Sequence, residues 1–239
     1  MVQVYGVVPA ASAPELTGIR VIAHRDVAAI VSDVDDAEMR AARALRAHWR
    51  VLDEVNASTT VLPVRFGTMM ADDDAVVAEF LEPSHEELAA TLADMAGKVQ
   101  LTVKGTYEEG VLMAGVVSRS PAIARMREEV SGLPEAATYY KRIELGRLVA
   151  AEVERAREHD GQAIVARLEP HALATRLEPQ TAIDSAVDAA FLVDEGRIDE
   201  FSEAVTGLGR ELAGRIRLRY VGPLPPYSFT GKKAGAAWA

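Results

Sequence analysis

Residues 215–220 read RIRLRY, a strict alternation of charged and apolar side chains, and period two is the mark of a strand with one face buried. Residues 98–104 do the same, with Val99, Leu101 and Val103 set between Lys98, Gln100, Thr102 and Lys104. These two stretches bracket the second half of the chain and restrict what can lie between them. An amphipathic helix is predicted over about 136–159, with Tyr139, Ile143, Gly146, Val149, Ala150 and Val153 on one stripe facing a core. Residues 173–177 and 187–193 have strand composition. Ile198, Phe201, Val205, Leu208 and Leu212 then recur at helical spacing. Residues 107–135 hold the apolar run VLMAGVV and a short helical piece ending in Gly132-Leu133-Pro134, with no clear period. The order strand, helix, strand, strand, helix, strand predicts a ferredoxin-like βαββαβ sandwich over 98–221.

The first half gives a second α+β pattern. Residues 2–8 (VQVYGVV) form a β-branched run ended by Pro9, and 19–23 and 27–31 predict a hairpin across His24, Arg25 and Asp26. A helix is expected over 36–54, carrying Ala41, Leu45, His48, Trp49 and Leu52, with Asp35 or Asp36 as N-cap. Residues 61–67 (VLPVRFG) return to strand composition, confined by Pro63 to an edge, a bulge or a strand start. Residues 72–96 read as helix, opened by Asp72, Asp73 and Asp74 at the dipole-favoured end and broken at Glu82-Pro83-Ser84. Ser84 and Glu87 there suit a capping box for a second helix. The expected fold class is therefore α+β in two domains, 1–97 and 98–230, with 231–239 a flexible tail.

Composition narrows the function. With 49% hydrophobic residues the chain of 239 can bury a core, and its formal net charge of −10 argues against general nucleic-acid binding. It has no cysteine, which suits a reducing cytoplasm. No secretory signal or membrane-spanning run is seen in it. The five histidines form no i, i+4 pair, and metal-protease, phosphate-loop, dinucleotide and nucleophile-elbow motifs are all missing. No catalytic residue, metal or cofactor is expected.

Three features raise binding instead. If the strands at 98–104 and 215–220 are neighbours, Lys98, Lys104, Arg215, Arg217 and Arg219 gather on one sheet face. That face is then either a partner surface or a solvated or covered face matched by acidic groups. Arg65, alone among uncharged residues beside Phe66, reads as an anion anchor, a partner contact or a structural pin; the pin, pointing inward to a carboxylate or to carbonyls, is the expectation. The C-terminal GPLPPYSF, with Pro225, Pro226 and Tyr227, is a stiff extended segment whose aromatic end packs back on the domain or else serves as a PxxP ligand.

Val4-Tyr5-Gly6-Val7-Val8, Leu62-Pro63-Val64-Arg65-Phe66-Gly67-Thr68 and the GPLPPYSF segment, in that order and separation, resemble the GvpF/GvpL family of gas vesicle accessory proteins over about residues 1–230. Where many relatives carry Trp between the first two prolines of the last motif, this chain has Leu224. The resemblance implies two α+β domains, the second a modified ferredoxin-like fold. It also implies a non-enzymatic role in building gas vesicles, the hollow protein shells that give bacteria buoyancy. The implied partners are the small, very hydrophobic main shell protein and other gas vesicle accessory proteins, with no catalytic residues to carry over. The alternative is a small-ligand-binding or enzymatic domain anchored by Arg65.

Overall fold

The computed structural model describes residues 1–34, 42–180 and 182–230. The expected N-cap at Asp35 or Asp36 and the expected tail at 231–239 lie outside them. The chain is mixed α+β, with two sheets and a division into two compact units. One comprises Met1–Leu101, Leu192–Gly196 and the described chain from Gly222 onward; the other comprises Thr102–Phe191 and Arg197–Val221.

The first unit is built on β1 (Val2–Pro9), which pairs antiparallel with β3 (Val27–Asp33), while β3 pairs with β2 (Arg20–His24) as the sequence predicts. The tight link between β2 and β3 holds Arg25 at φ 57°. On its other side β1 meets β4 (Leu62–Pro63) and β5 (Met69–Met70). A bulge between Val4 and Gly6 shifts the register of β1. Val4 and Val7 therefore share one face and Tyr5 and Val8 the other. Both faces are covered, which is why the run VQVYGVV is apolar without alternation. On one side lie Leu52 and Val55 of α1 (Ala42–Asn56). On the other lie Phe80, Leu81, Leu88 and Leu92 of the helical segment that ends in α2 (Glu82–Met95).

That segment corrects one expectation. Asp72 does open it, its Oδ1 accepting from the Ala75 N–H at 2.9 Å. The break at Glu82-Pro83-Ser84 is not formed, and Ser84 lies inside a helix rather than at its start, so it caps nothing. A wider π turn, Val76–Leu81, precedes the proline, and the Glu82 N–H bonds to the Val77 carbonyl. Pro83 then falls in the first turn of α2, where its missing N–H and fixed φ are tolerated.

The second unit takes up the chain within β6 (Lys98–Tyr107). There follow α3 (Val111–Arg119), α4 (Pro121–Val130), α5 (Glu135–Leu168), β7 (Ala174–Leu177), β8 (Ser185–Asp194), α6 (Ile198–Glu211) and β9 (Ile216–Leu224). The sheet order is β7-β8-β6-β9. Between β6 and α5 the apolar run VLMAGVV forms α3, and the expected short helical piece before Gly132 is α4. The core gathers Ile164 and Leu168 of α5, Phe191 of β8, Phe201 and Leu208 of α6, and Ile216, with the Phe191 and Phe201 rings 5.1 Å apart.

The predicted stripe on α5 is not a core face along its length. Tyr139, Ile143, Gly146 and Ala150 are exposed, whereas Asp160, Gly161, Ile164 and Leu168 are buried. The reason is length: 34 residues rise about 50 Å as a helix, and a ten-residue strand spans about 33 Å. The N-terminal half of α5 outruns the sheet that covers the rest.

Candidate partner-binding site

The three motif stretches meet on α1. Gly6 of β1 faces Pro63 of β4, and a Cβ at Gly6 would lie 2.7 Å from Val61 Cγ2 and 2.8 Å from the Leu62 carbonyl oxygen. The two strands approach this closely only because position 6 has no side chain. Past β4 the Val64 N–H donates to the Tyr5 carbonyl at 2.9 Å, and the chain turns through Gly67 at φ 89°.

His48 is buried on α1 between Tyr5, stacked with centroids 5.2 Å apart, and Phe66, edge-on at 5.5 Å. The Gln3 side-chain amide donates to His48 Nδ1 at 3.1 Å, which places the imidazole proton on Nε2. Tyr5 and Ser32 share a hydrogen bond of 2.9 Å through their hydroxyls. Burial holds His48 below the ordinary histidine range, with the Val64 backbone acting in the opposite direction. Its role is to fill and orient the junction as a neutral ring.

The next residue, Trp49, is 40% exposed and stacks on Tyr227 with centroids 4.6 Å apart. Tyr227 also packs against the cluster of Tyr5, Val8, Ile30 and Leu52. Burial, with Asp53 nearby, raises its phenol above the ordinary range. Pro225 and Pro226 are buried, so the segment does not stand off the surface as a free PxxP ligand. Gly222 enters it at φ 144°, where a Cβ would sit 2.7 Å from Leu101 Cδ2. The buried Gln100 Oε1 accepts from the Ser228 N–H at 2.8 Å.

Arg65 does not point inward. It is exposed, on the turn whose carbonyl accepts from the Thr68 N–H and hydroxyl, and it has no ion-pair partner among the described residues. The turn forms from Gly67 and Thr68, and the buried Val64 and half-buried Phe66 on either side fasten it without Arg65.

The predicted cationic sheet face is also different. Gln100 and Thr102 are buried rather than solvated. Lys98 pairs with Asp94 at 3.0 Å, Lys104 with Asp188 at 2.8 Å, and Arg217 with Glu108 at 2.8 Å. Arg215 meets the buried Asp160 at 2.7 Å, and Asp160 also accepts from the Tyr107 hydroxyl at 2.7 Å. Only Arg219, of the five, is exposed without a carboxylate among the described residues. Sequence reading missed the carboxylates because three of them are distant in the chain. Asp94, at i−4 from Lys98, was the one visible locally.

Three glycine- and proline-marked segments of the first unit, packed together on α1, define a structural scaffold. The family model of gas vesicle synthesis protein GvpL/GvpF matches residues 2–231. Gas vesicle protein F of Streptomyces sp. strain CB03234 is 33% identical over 211 residues, covering 88% of this chain and 87% of that one. Gas vesicle protein L of the same strain is 32% identical, covering 89% and 83%. The crystal structure of GvpF from Anabaena sp. PCC7120 superposes with a TM-score of 0.83 over 97% of this chain and 98% of that one, at 22% identity. The chain belongs to the GvpL/GvpF family of gas vesicle synthesis proteins.

Proposed function

We propose that this protein is a non-enzymatic accessory factor of gas vesicle assembly. It binds the main hydrophobic shell protein, supports nucleation or growth of the shell, and works in the cytoplasm at the vesicle beside other accessory proteins. The observation that carries this reading is family membership over residues 2–231, with relatives matched across most of their length. The buried ionisable groups support it too, since Asp160 and His48 are occupied by Tyr107, Arg215 and Gln3 in holding the fold together.

Two finer points belong to the same reading. The factor has two α+β domains, 1–97 and 98–230, a reading supported by the two compact units, although residues 98–101, Leu192–Gly196 and the chain from Gly222 group with the first unit. The second is a modified ferredoxin-like sandwich, a reading supported by β6 lying between β8 and β9 with β7 at the far edge and by the extra helices α3 and α4 after the first strand.

Deleting the gene in a gas-vesicle-producing host tests the function. Loss of flotation, restored by the intact gene, is expected, together with co-purification of shell protein with the tagged chain. Normal vesicles in the deletion strain would overturn the reading.

A further inference from the structure

We propose that the trough between α3 and the N-terminal half of α5 is a docking site for a short amphipathic helix of another protein, one whose apolar face is flanked by carboxylates. This rests on the reading that the protein acts through protein partners.

Met113 and Val117 of α3 and Leu145 and Val149 of α5 line an open groove of about 630 Å³. Arg127 of α4 belongs to that groove and, with Arg142 and Glu128, to the adjoining hollow beyond Leu145. The trough thus has an apolar floor and, at one end, two guanidinium groups with one carboxylate, Glu128, leaving that end net positive. Met113 is 47% exposed, and Tyr139, Tyr140 and Ile143 are exposed nearby along α5. Uncovered large apolar residues concentrated on one pair of helices mark an interaction surface more than solvent does.

Charge chooses the occupant. Residues 111–149 carry six Arg and Lys against four Glu, in a chain whose net charge is −10. Lys141 is matched by Glu129 at 2.9 Å. Arg142 donates through Nε to the Thr138 hydroxyl at 2.9 Å, and neither Arg142 nor Arg127 has a carboxylate partner among the described residues. A carboxylate on a docked helix meets these guanidinium groups, and its apolar residues at i, i+3, i+4 and i+7 meet the floor. The nine residues of α3 give a floor about 13 Å long, enough for two to three turns. The walls are helices whose backbone groups are internally bonded, so a strand finds no edge to join.

Among the described residues, neither α6 nor α1 of a second copy supplies the required helix. The acidic helix α6 has Phe201, Val205 and Leu208 buried in its own core. The exposed Leu45 and Trp49 of α1 stand among Arg43, Arg46 and Arg50, the wrong sign for Arg127 and Arg142.

The test uses the full chain in a gas-vesicle-producing host, with the photoreactive residue p-benzoylphenylalanine replacing Met113. Irradiation is expected to cross-link a different protein, at a peptide with apolar residues three and four apart and Asp or Glu beside them. Arg127→Glu with Arg142→Glu should lower the cross-link yield by about tenfold or more, with the far-UV circular dichroism and melting midpoint of the purified chain unchanged. Should that pair fail to fold, Met113→Asp, at a residue already half-exposed, takes its place and is expected to lose the ability to restore flotation in the host. No cross-link above background, a cross-link to a second copy or to a segment of another pattern, or a yield indifferent to the charge reversal overturns the proposal. Complementation separates it from the assembly role: trough variants that fully restore flotation to the deletion strain sink the trough alone, whereas normal vesicles without the gene sink the assembly reading.

Discussion

Trp49 of α1 stacks on Tyr227 of the C-terminal segment with ring centroids 4.6 Å apart and planes tilted by 46°. This contact pins the GPLPPYSF motif to a helix formed early in the chain. Beneath the stack the Tyr227 hydroxyl is buried with no hydrogen-bond partner among the described residues. The ring is therefore useful and its oxygen is a cost.

Tyr227→Phe is accordingly expected to leave the protein as stable or more stable by about 1 kcal/mol, because it removes an unsatisfied buried polar atom. Tyr227→Ala should cost about 3 kcal/mol through the cavity it opens. Urea unfolding of both variants checks the pair; a Phe variant as unstable as the Ala variant would show that the hydroxyl has a partner.

Asp160 links Tyr107 and Arg215 at 2.7 Å each. Asp160→Ala leaves the buried Tyr107 phenol only its long 3.4 Å contact to the Ala156 carbonyl and frees a partly exposed guanidinium, and an expected loss of about 2–3 kcal/mol follows after allowance for solvent around Arg215. Asp160→Asn keeps an acceptor for Tyr107 and should lose roughly half as much. Equal losses in chemical denaturation would mean that the charge, not the hydrogen bond, is what matters.

His48 is buried as the neutral ring, so its folded-state pKa lies below the ordinary value of 6.5. The unfolded chain then binds the proton more readily than the folded one. Stability from this group is complete above about pH 6.5 and declines as pH falls through that value. Melting midpoints of the wild type and His48→Gln measured from pH 8 to pH 5 should converge toward the acid end. Parallel curves would remove His48 as the titrating group.

Gly6→Ala places a methyl 2.7 Å from Val61 Cγ2 and 2.8 Å from the Leu62 carbonyl oxygen. Since the second of these is backbone, the β1–β4 pair must part, at an expected cost of about 1–3 kcal/mol. A melting temperature unchanged from wild type would show that the strands can separate freely.

Much of the fold was legible locally. The RIRLRY alternation located β9, the apolar runs at 19–23 and 27–31 located β2 and β3, and Asp72 announced the helix it caps. Those features depend on period and on side chain–backbone bonds within a few residues. Pro83 misled because the π turn that accommodates it is formed by Val76–Leu81, whose composition carries no such signal. The α5 stripe misled because helical spacing reveals an apolar face without revealing how far the covering sheet extends.

The candidate site divides the same way. Arg65, Phe66, Pro225, Pro226 and Tyr227 stood out in the sequence, yet nothing local told which would be buried. The sequence by itself determined the family, the strands at 2–8, 19–23, 27–31 and 215–220, and the helix that Asp72 opens. Only the tertiary structure decided that Arg65 faces solvent, that the prolines are covered, and that Lys104, Arg215 and Arg217 meet carboxylates far along the chain. The physical reason is that periodicity and turn chemistry act over a few residues, whereas burial and charge pairing depend on which distant segments folding brings into contact.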